Sequence, residues 1–175
     1  MRIILFFLVF LSCTNDPKVV QEFVSGKELP IERIKEAELI QTENGNIKVK
    51  IVSGTINRFQ NSQPELMFSN NLIVTFYTDS SKVQSILKAE DATIDEQKKI
   101  MTASNNVVLE SDDKKLETEE LVWDEVSNKI YTDKKVKITT GKEVIFGEGF
   151  TSNPDFTEYS IVKIHGSLSF DSEEK

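Results

Sequence analysis

From Asn46 onward the chain alternates apolar and polar residues with a period of two, and this period limits it to one kind of element. Ile47-Lys48-Val49-Lys50-Ile51, Leu72-Ile73-Val74-Thr75-Phe76, Val107-Val108-Leu109-Glu110 and Lys135-Val136-Lys137-Ile138 each place their apolar side chains on one side of an extended backbone. Such runs form strands with one wet and one dry face. Between them lie turn-forming clusters: Gly45-Asn46, Asn61-Ser62-Gln63-Pro64, Ser111-Asp112-Asp113, Thr140-Gly141-Lys142 and Asn153-Pro154-Asp155. Short strands at this spacing, with no long helical period among them, predict an all-β fold.

The strands also repeat. Leu87 to Asp95 aligns with Leu116 to Asp124 and again with Ile145 to Asn153, a step of 29 residues each time. Each copy is followed by a second unit: Ser104-Asn105-Asn106-Val107, then Asp133-Lys134-Lys135-Val136, then His165-Gly166-Ser167-Leu168. Ser69-Asn70-Asn71-Leu72 echoes the first of these. A two-strand unit cannot bury its own apolar face, so copies must stack and share a core. The expected architecture is a twisted, open antiparallel sheet, rolled or folded over a dry seam. Candidates for the dry face are Ile47, Val49, Ile51, Leu72, Val74, Phe76, Leu87, Ala92, Ile94, Val107, Leu109, Leu116, Leu121, Trp123, Val136, Ile138, Ile145 and Phe150.

The first residues belong to a different kind of sequence. Arg2 precedes an unbroken apolar run from Ile3 to Leu11. Nine residues fall well short of the ~20 that span a bilayer, but they suit the apolar region of a secretory signal peptide. The run ends at Leu11-Ser12-Cys13, which resembles the lipobox of bacterial lipoproteins, with Phe10 where that pattern prefers leucine. Residues 1–12 are therefore expected to be a signal peptide and Cys13 the lipidated, membrane-holding residue. Residues 13–37 form a tether, and 38–172 the β-domain. Within this region Ile31 to Ile40 suits either a short helix or a lead-in strand. A multiply acylated cysteine holds firmly where a single chain does not, and the expected compartment lies outside the cytoplasm.

Composition excludes several functions. Lys+Arg number 21 against 29 Asp+Glu, for a net charge of −8. Nucleic-acid binding needs a basic face, which this balance does not supply. One cysteine allows no internal disulfide, and one histidine, His165, allows no multi-histidine zinc site. No phosphate-cradling glycine loop, nucleophile elbow or metal-ligand spacing appears, so the reading is non-enzymatic, with no cofactor and no metal.

The strands from 87 to 150 carry a resemblance. Leu116-Glu117-Thr118-Glu119-Glu120-Leu121, Ile130-Tyr131-Thr132-Asp133-Lys134-Lys135-Val136-Lys137-Ile138 and Gly147-Glu148-Gly149-Phe150 resemble the LptC family. This is the periplasmic component C of the lipopolysaccharide-export machinery, related to the bridge protein and to OstA-type domains. The resemblance covers residues 45–170. It implies a β-jellyroll, open along one side, through which the acyl chains of lipopolysaccharide pass during outer-membrane biogenesis in Gram-negative cells. The implied partners are an inner-membrane ABC transporter, a periplasmic LptA-like bridge protein and the membrane reached through the anchor. The implied place is the periplasm at the inner membrane, with the outer membrane as the alternative. Better-known members begin with a transmembrane helix, where this chain has a short leader and Cys13.

On the resemblance, the groove would be lined by Val49, Ile51, Leu72, Val74, Phe76, Leu87, Ile94, Val107, Leu109, Leu116, Leu121, Trp123, Val136, Ile138, Ile145 and Phe150. The alternative is that these residues only pack against one another. Trp123 either caps one end of the groove or fills the core. The edge near 38–52 would meet the transporter, and the edge near 159–170, with Ile161 and Ile164, would meet the bridge protein. Gly147 and Gly149 are expected to bend their strand locally, with partner contact as the second reading. Glu90, Glu119 and Glu148 recur at one repeat position and are expected on a solvated face, while Asp95, Asp124 and Asn153 read as turn residues. Lys98, Lys99, Lys134, Lys135 and Lys137 point outward and discourage wrong pairing. Two rivals remain: a β-repeat surface lipoprotein without a ligand, and a carbohydrate-active jellyroll enzyme, which needs only two carboxylates.

Overall fold

The computed structural model describes residues 29–60 and 62–169. The leader, Cys13 and the chain up to residue 28 lie outside the described residues, as do residues 170–175. Ten strands follow one another: β1 (Glu32–Glu43), β2 (Asn46–Arg58), β3 (Leu66–Tyr77), β4 (Val83–Ala89), β5 (Asp91–Asp95), β6 (Ile100–Ser111), β7 (Lys114–Asp124), β8 (Lys129–Thr140), β9 (Glu143–Ser152) and β10 (Tyr159–Ser169). All pair antiparallel in a single sheet of order β1-β2-β3-β4-β6-β7-β8-β9-β10. No helix occurs among the described residues. The all-β fold read from the alternation is observed, as a folded-over sheet consistent with the open jellyroll that the resemblance implies. Residues 32–40 are strand rather than helix, and β1 opens ahead of the boundary drawn at residue 38.

The sheet folds over because the strand pairings are interrupted along one line, with a register shift there in β2–β3, β6–β7, β7–β8 and β8–β9. Glu36 stands opposite Gly54, and Gly54 opposite Asn70 and Asn71. Glu90 separates β4 from β5, which share the partners β3 and β6 and together behave as one bent strand. Asn105 and Asn106 bulge out opposite Glu119, Asp133 and Lys134 opposite Gly149, and Gly149 opposite Val162. These positions line up across the sheet as one crease. Four of them are asparagines in the left-handed region, with φ of 63° and 67° at Asn70 and Asn71 and 66° and 53° at Asn105 and Asn106. Asparagine tolerates that region better than other residues with a Cβ. Gly149 reaches φ of 77° there. At Gly54 a Cβ would lie 2.6 Å from the carbonyl oxygen of Asn70, so the two strands cross only because it is glycine.

A bulge strands backbone carbonyls, and buried hydroxyls take them up. Ser53 Oγ donates to the carbonyls of Thr55 (3.1 Å) and Ser69 (3.0 Å), and Thr118 Oγ1 to that of Lys135 (2.9 Å). These few polar residues in an otherwise apolar interior meet the rule that buried polar groups be hydrogen-bonded. At the outer ends of the strands the expected turn residues do their work. Asp95 Oδ1 accepts from the Lys98 backbone N–H, Asp124 Oδ1 from those of Val126 and Ser127, and Asn153 Oδ1 from that of Glu158.

Candidate functional site

The crease divides each strand into two halves, and the inner faces of the halves meet as a seam. One layer carries Val49, Ile51, Leu72, Val74, Phe76, Leu87, Leu109, Leu116, Val136 and Ile138. The other carries Phe68, Ala92, Ile94, Met101, Leu121, Trp123, Ile130 and Phe150. Thirteen of the sixteen groove candidates are buried there, and the remaining three, Ile94, Trp123 and Ile145, are half-buried against the same cluster. Ile47, the further dry-face candidate, is half-buried at the start of β2. The face assignment follows from period two alone. Each apolar side chain removed from water contributes at roughly 25 cal/mol per Å² of buried surface.

Sequence reasoning missed ten buried apolar residues, among them Ala103, Met101 and Phe156. Ala103 and Met101 belong to a β6 segment whose apolar residues are small or flexible, and so carry little hydropathy signal. Phe156 sits in the β9–β10 loop, fully buried, with its ring edge-on to Phe150 at 5.5 Å and to Tyr159 at 5.4 Å. Its only signal in the sequence is an aromatic directly after a turn cluster.

The layers are tied together at the side opposite the crease. Gln41 Nε2 of β1 donates to Glu125 Oε1 beyond β7 (3.3 Å), and Ser85 Oγ of β4 donates to the Pro154 carbonyl (2.6 Å). Between these two bonds the Phe76 and Trp123 rings meet edge to face at 5.2 Å and 88°. Two clefts open beside this contact. One, of about 300 Å³, has mainly apolar walls that include Leu39, Ile51, Leu66, Ile94 and Met101. The other, of about 620 Å³, is polar and is bounded by Lys48, Gln84, Asn128, Asn153 and Asp155. Both share Gln41, Val49, Trp123 and Glu125. Trp123 packs against the core and stands where apolar and polar space adjoin. Its indole nitrogen is buried and has no hydrogen-bond partner, the one such side-chain atom among the described residues. An orphaned buried donor costs about 1–3 kcal/mol.

Charge around the seam is self-neutralised. Lys48, at the polar cleft, pairs with Asp79, and this carboxylate holds the ammonium above its usual range. On the outer face Lys137 bonds Glu117 at 3.0 Å and Lys163 bonds Glu148 at 3.1 Å, each holding its carboxyl below the usual range. Glu90 accepts from Asn106 Nδ2, and no group of metal-ligating side chains occurs among the described residues. Glu90 and Glu119 thus sit along the crease and Glu148 beside it, on separate strands, rather than converging on one point.

The sheet ends in two strands paired on one side only, β1 and β10. Residues 46–52, assigned from sequence to the N-terminal edge, lie in β2 and are covered by β1, so the edge itself is Glu32–Glu43. On β10, Ile161 packs against the core while Ile164 is 63% exposed, along with Val162 at 73% and Leu168 at 60%. Gly149 supplies the expected bend, but Gly147 does something else. A Cβ there would lie 2.8 Å from the Lys163 carbonyl oxygen and would collide with the Ile161 side chain. Gly147 is what lets β10 lie against β9.

A family model described as lipopolysaccharide-assembly, LptC-related, matches residues 3–160. A search of curated proteins finds no match.

Proposed function

Because the chain belongs to the LptC-related lipopolysaccharide-assembly family, and so has a role in lipopolysaccharide transport, we propose that it relays the glycolipid across the periplasm by holding acyl chains in the seam. It would accept them from an inner-membrane ABC transporter and pass them to an LptA-like bridge protein. The family acts in the periplasm at the inner membrane, which leaves the outer-membrane alternative without support.

The observation that carries this reading is the seam itself. It is apolar along its length, lies in a sheet that ends on each side in a strand with one free edge, and opens into a cleft beside Trp123. Acyl chains entering it gain about 0.8 kcal/mol per buried methylene, so cargo binding and layer packing draw on the same surface. Free strand edges recruit partners by β-augmentation. β1 would face the transporter and β10 the bridge protein. β1 carries Glu32, Lys35, Glu36 and Glu38, charges that block unspecific pairing. The bare apolar side chains of β10 await a strand to cover them. With most of the outer lysines already paired, the hold on lipopolysaccharide falls to its acyl chains rather than its phosphates.

No step of this relay is catalytic; ATP hydrolysis elsewhere drives it. Photo-crosslinking residues at Phe76, Leu109 and Ile138 should capture lipopolysaccharide in cells, whereas capture confined to the outward neighbour Lys137 would remove the groove from consideration. Cys13 would hold the chain at the membrane. The intact mass of detergent-extracted protein should then show an acylated residue 13 as the N-terminus, and an unmodified chain retaining Met1 would exclude that anchor.

A further inference from the structure

Resting on the reading of the seam as a glycolipid groove, we propose that the Trp123 indole N–H binds the carbonyl through which an acyl chain joins the polar part of its cargo. Three observations meet at this residue. The apolar cleft of about 300 Å³ and the polar cleft of about 620 Å³ adjoin at Trp123. Spaces paired in this way fit an amphiphile, with hydrocarbon on one side and sugar on the other. Trp123 also sits on the inner face of β7, between Met101 and Ile130, both buried, so the strand directs its ring into the seam. Finally, its nitrogen is a donor that no protein group satisfies.

Indole can only donate, so the missing partner is an acceptor. A hydrocarbon chain offers none. While the layers are packed the nitrogen is closed to water and to cargo alike, so its partner arrives only with chains that part the layers. An N–H directed at the Phe76 face would be a weak, second-order contact. In an acylated glycolipid the ester or amide carbonyl lies between chain and sugar, at the same boundary that Trp123 occupies in the protein. A buried donor left unmet in the empty seam and met by cargo would favour the loaded state. It would also fix how far the chain slides in.

The test compares lipid A with a chain-matched analogue whose acyl linkages are ethers, titrated into the full-length protein and into Trp123→Phe. Phenylalanine keeps an aromatic ring against Phe76 and removes only the donor and some bulk. Wild type should bind lipid A about tenfold tighter than the ether analogue, and Trp123→Phe should bind the two alike. A tenfold preference that survives in Trp123→Phe overturns the assignment. So does equal binding of both lipids by wild type, a result that needs no variant and leaves the transport reading intact. Binding of neither lipid by wild type would remove the transport reading and this inference together.

Discussion

Gly147→Val should peel β10 off the sheet while leaving the rest of the jellyroll folded. Any side chain at this position brings its Cβ within 2.8 Å of the Lys163 backbone oxygen and into the Ile161 side chain. Backbone cannot rotate away as a long side chain can, so β10 itself must move. Overpacking of this kind costs about 1–3 kcal/mol. β10 pairs only with β9, so the cheapest response is local opening rather than global unfolding. Amide hydrogen exchange should quicken roughly five- to 150-fold over 159–169, the range that 1–3 kcal/mol implies, with β6 to β8 unchanged. Capture of the bridge protein should fall with it, while lipopolysaccharide crosslinking at Phe76 persists. Gly149→Ala should do less. It meets Val162 at 3.1 Å, and its left-handed backbone costs alanine only about 1–2 kcal/mol. Equal protection of β10 in Gly147→Val and wild type would remove Gly147 from this role.

The two glycines also show how much the sequence could say. Glycine in a strand signals a bend or a close approach without saying which; the answer depends on where the neighbouring strand runs, and β10 lies across Gly147 only once the sheet is folded. Dry and wet faces were legible because alternation is set locally, residue by residue, and the layers then bury what the period exposes. The crease was present in the letters but not legible as a crease. Ser69-Asn70-Asn71 and Ser104-Asn105-Asn106 mark the start of a second repeat unit in sequence, yet in the structure they are mid-strand bends. An asparagine pair suits a turn and a left-handed bulge equally well, and only the register of both neighbours decides. β1 was hard to read for another reason. An edge strand covered on one side needs no full apolar face, and only Ala37 of its residues is buried. The cleft at Trp123 had no local signal at all, since it arises where two distant strand halves cross.

Phe156→Ala should be among the most damaging single substitutions in the described chain. Phe156 is fully buried and closes the aromatic cluster with Phe150 and Tyr159, whose own rings stack at 6.1 Å. Its loop is pinned by its backbone N–H on the Asn153 carbonyl (3.0 Å), by Asn153 Nδ2 on Thr157 Oγ1 (2.9 Å), and by Ser85 reaching across to Pro154. The ring is held inward despite φ of 57°, a left-handed backbone that disfavours a bulky residue by about 1–2 kcal/mol. Burial of the ring outweighs that strain, so removing the ring should cost about 3–5 kcal/mol, a large part of the ~5–15 kcal/mol that holds a typical domain together. The backbone makes a second, sharper demand. Glycine adopts positive φ freely, so Phe156→Gly should be less destabilising than Phe156→Ala, the reverse of their usual order in strands and helices. Urea denaturation of the two variants checks both statements, and an alanine variant within 1 kcal/mol of wild type by the usual linear extrapolation would show that the ring does not hold the loop. Because Pro154 and Asn153 also bound the polar cleft, the lost ring opens the seam beside the very space where cargo would enter. Saturating lipid stabilises whatever folded form binds it, and acyl methylenes can occupy the vacated volume. Lipid A should therefore raise the melting temperature of Phe156→Ala more than that of wild type, which ties the packing of this loop to the occupancy of the groove.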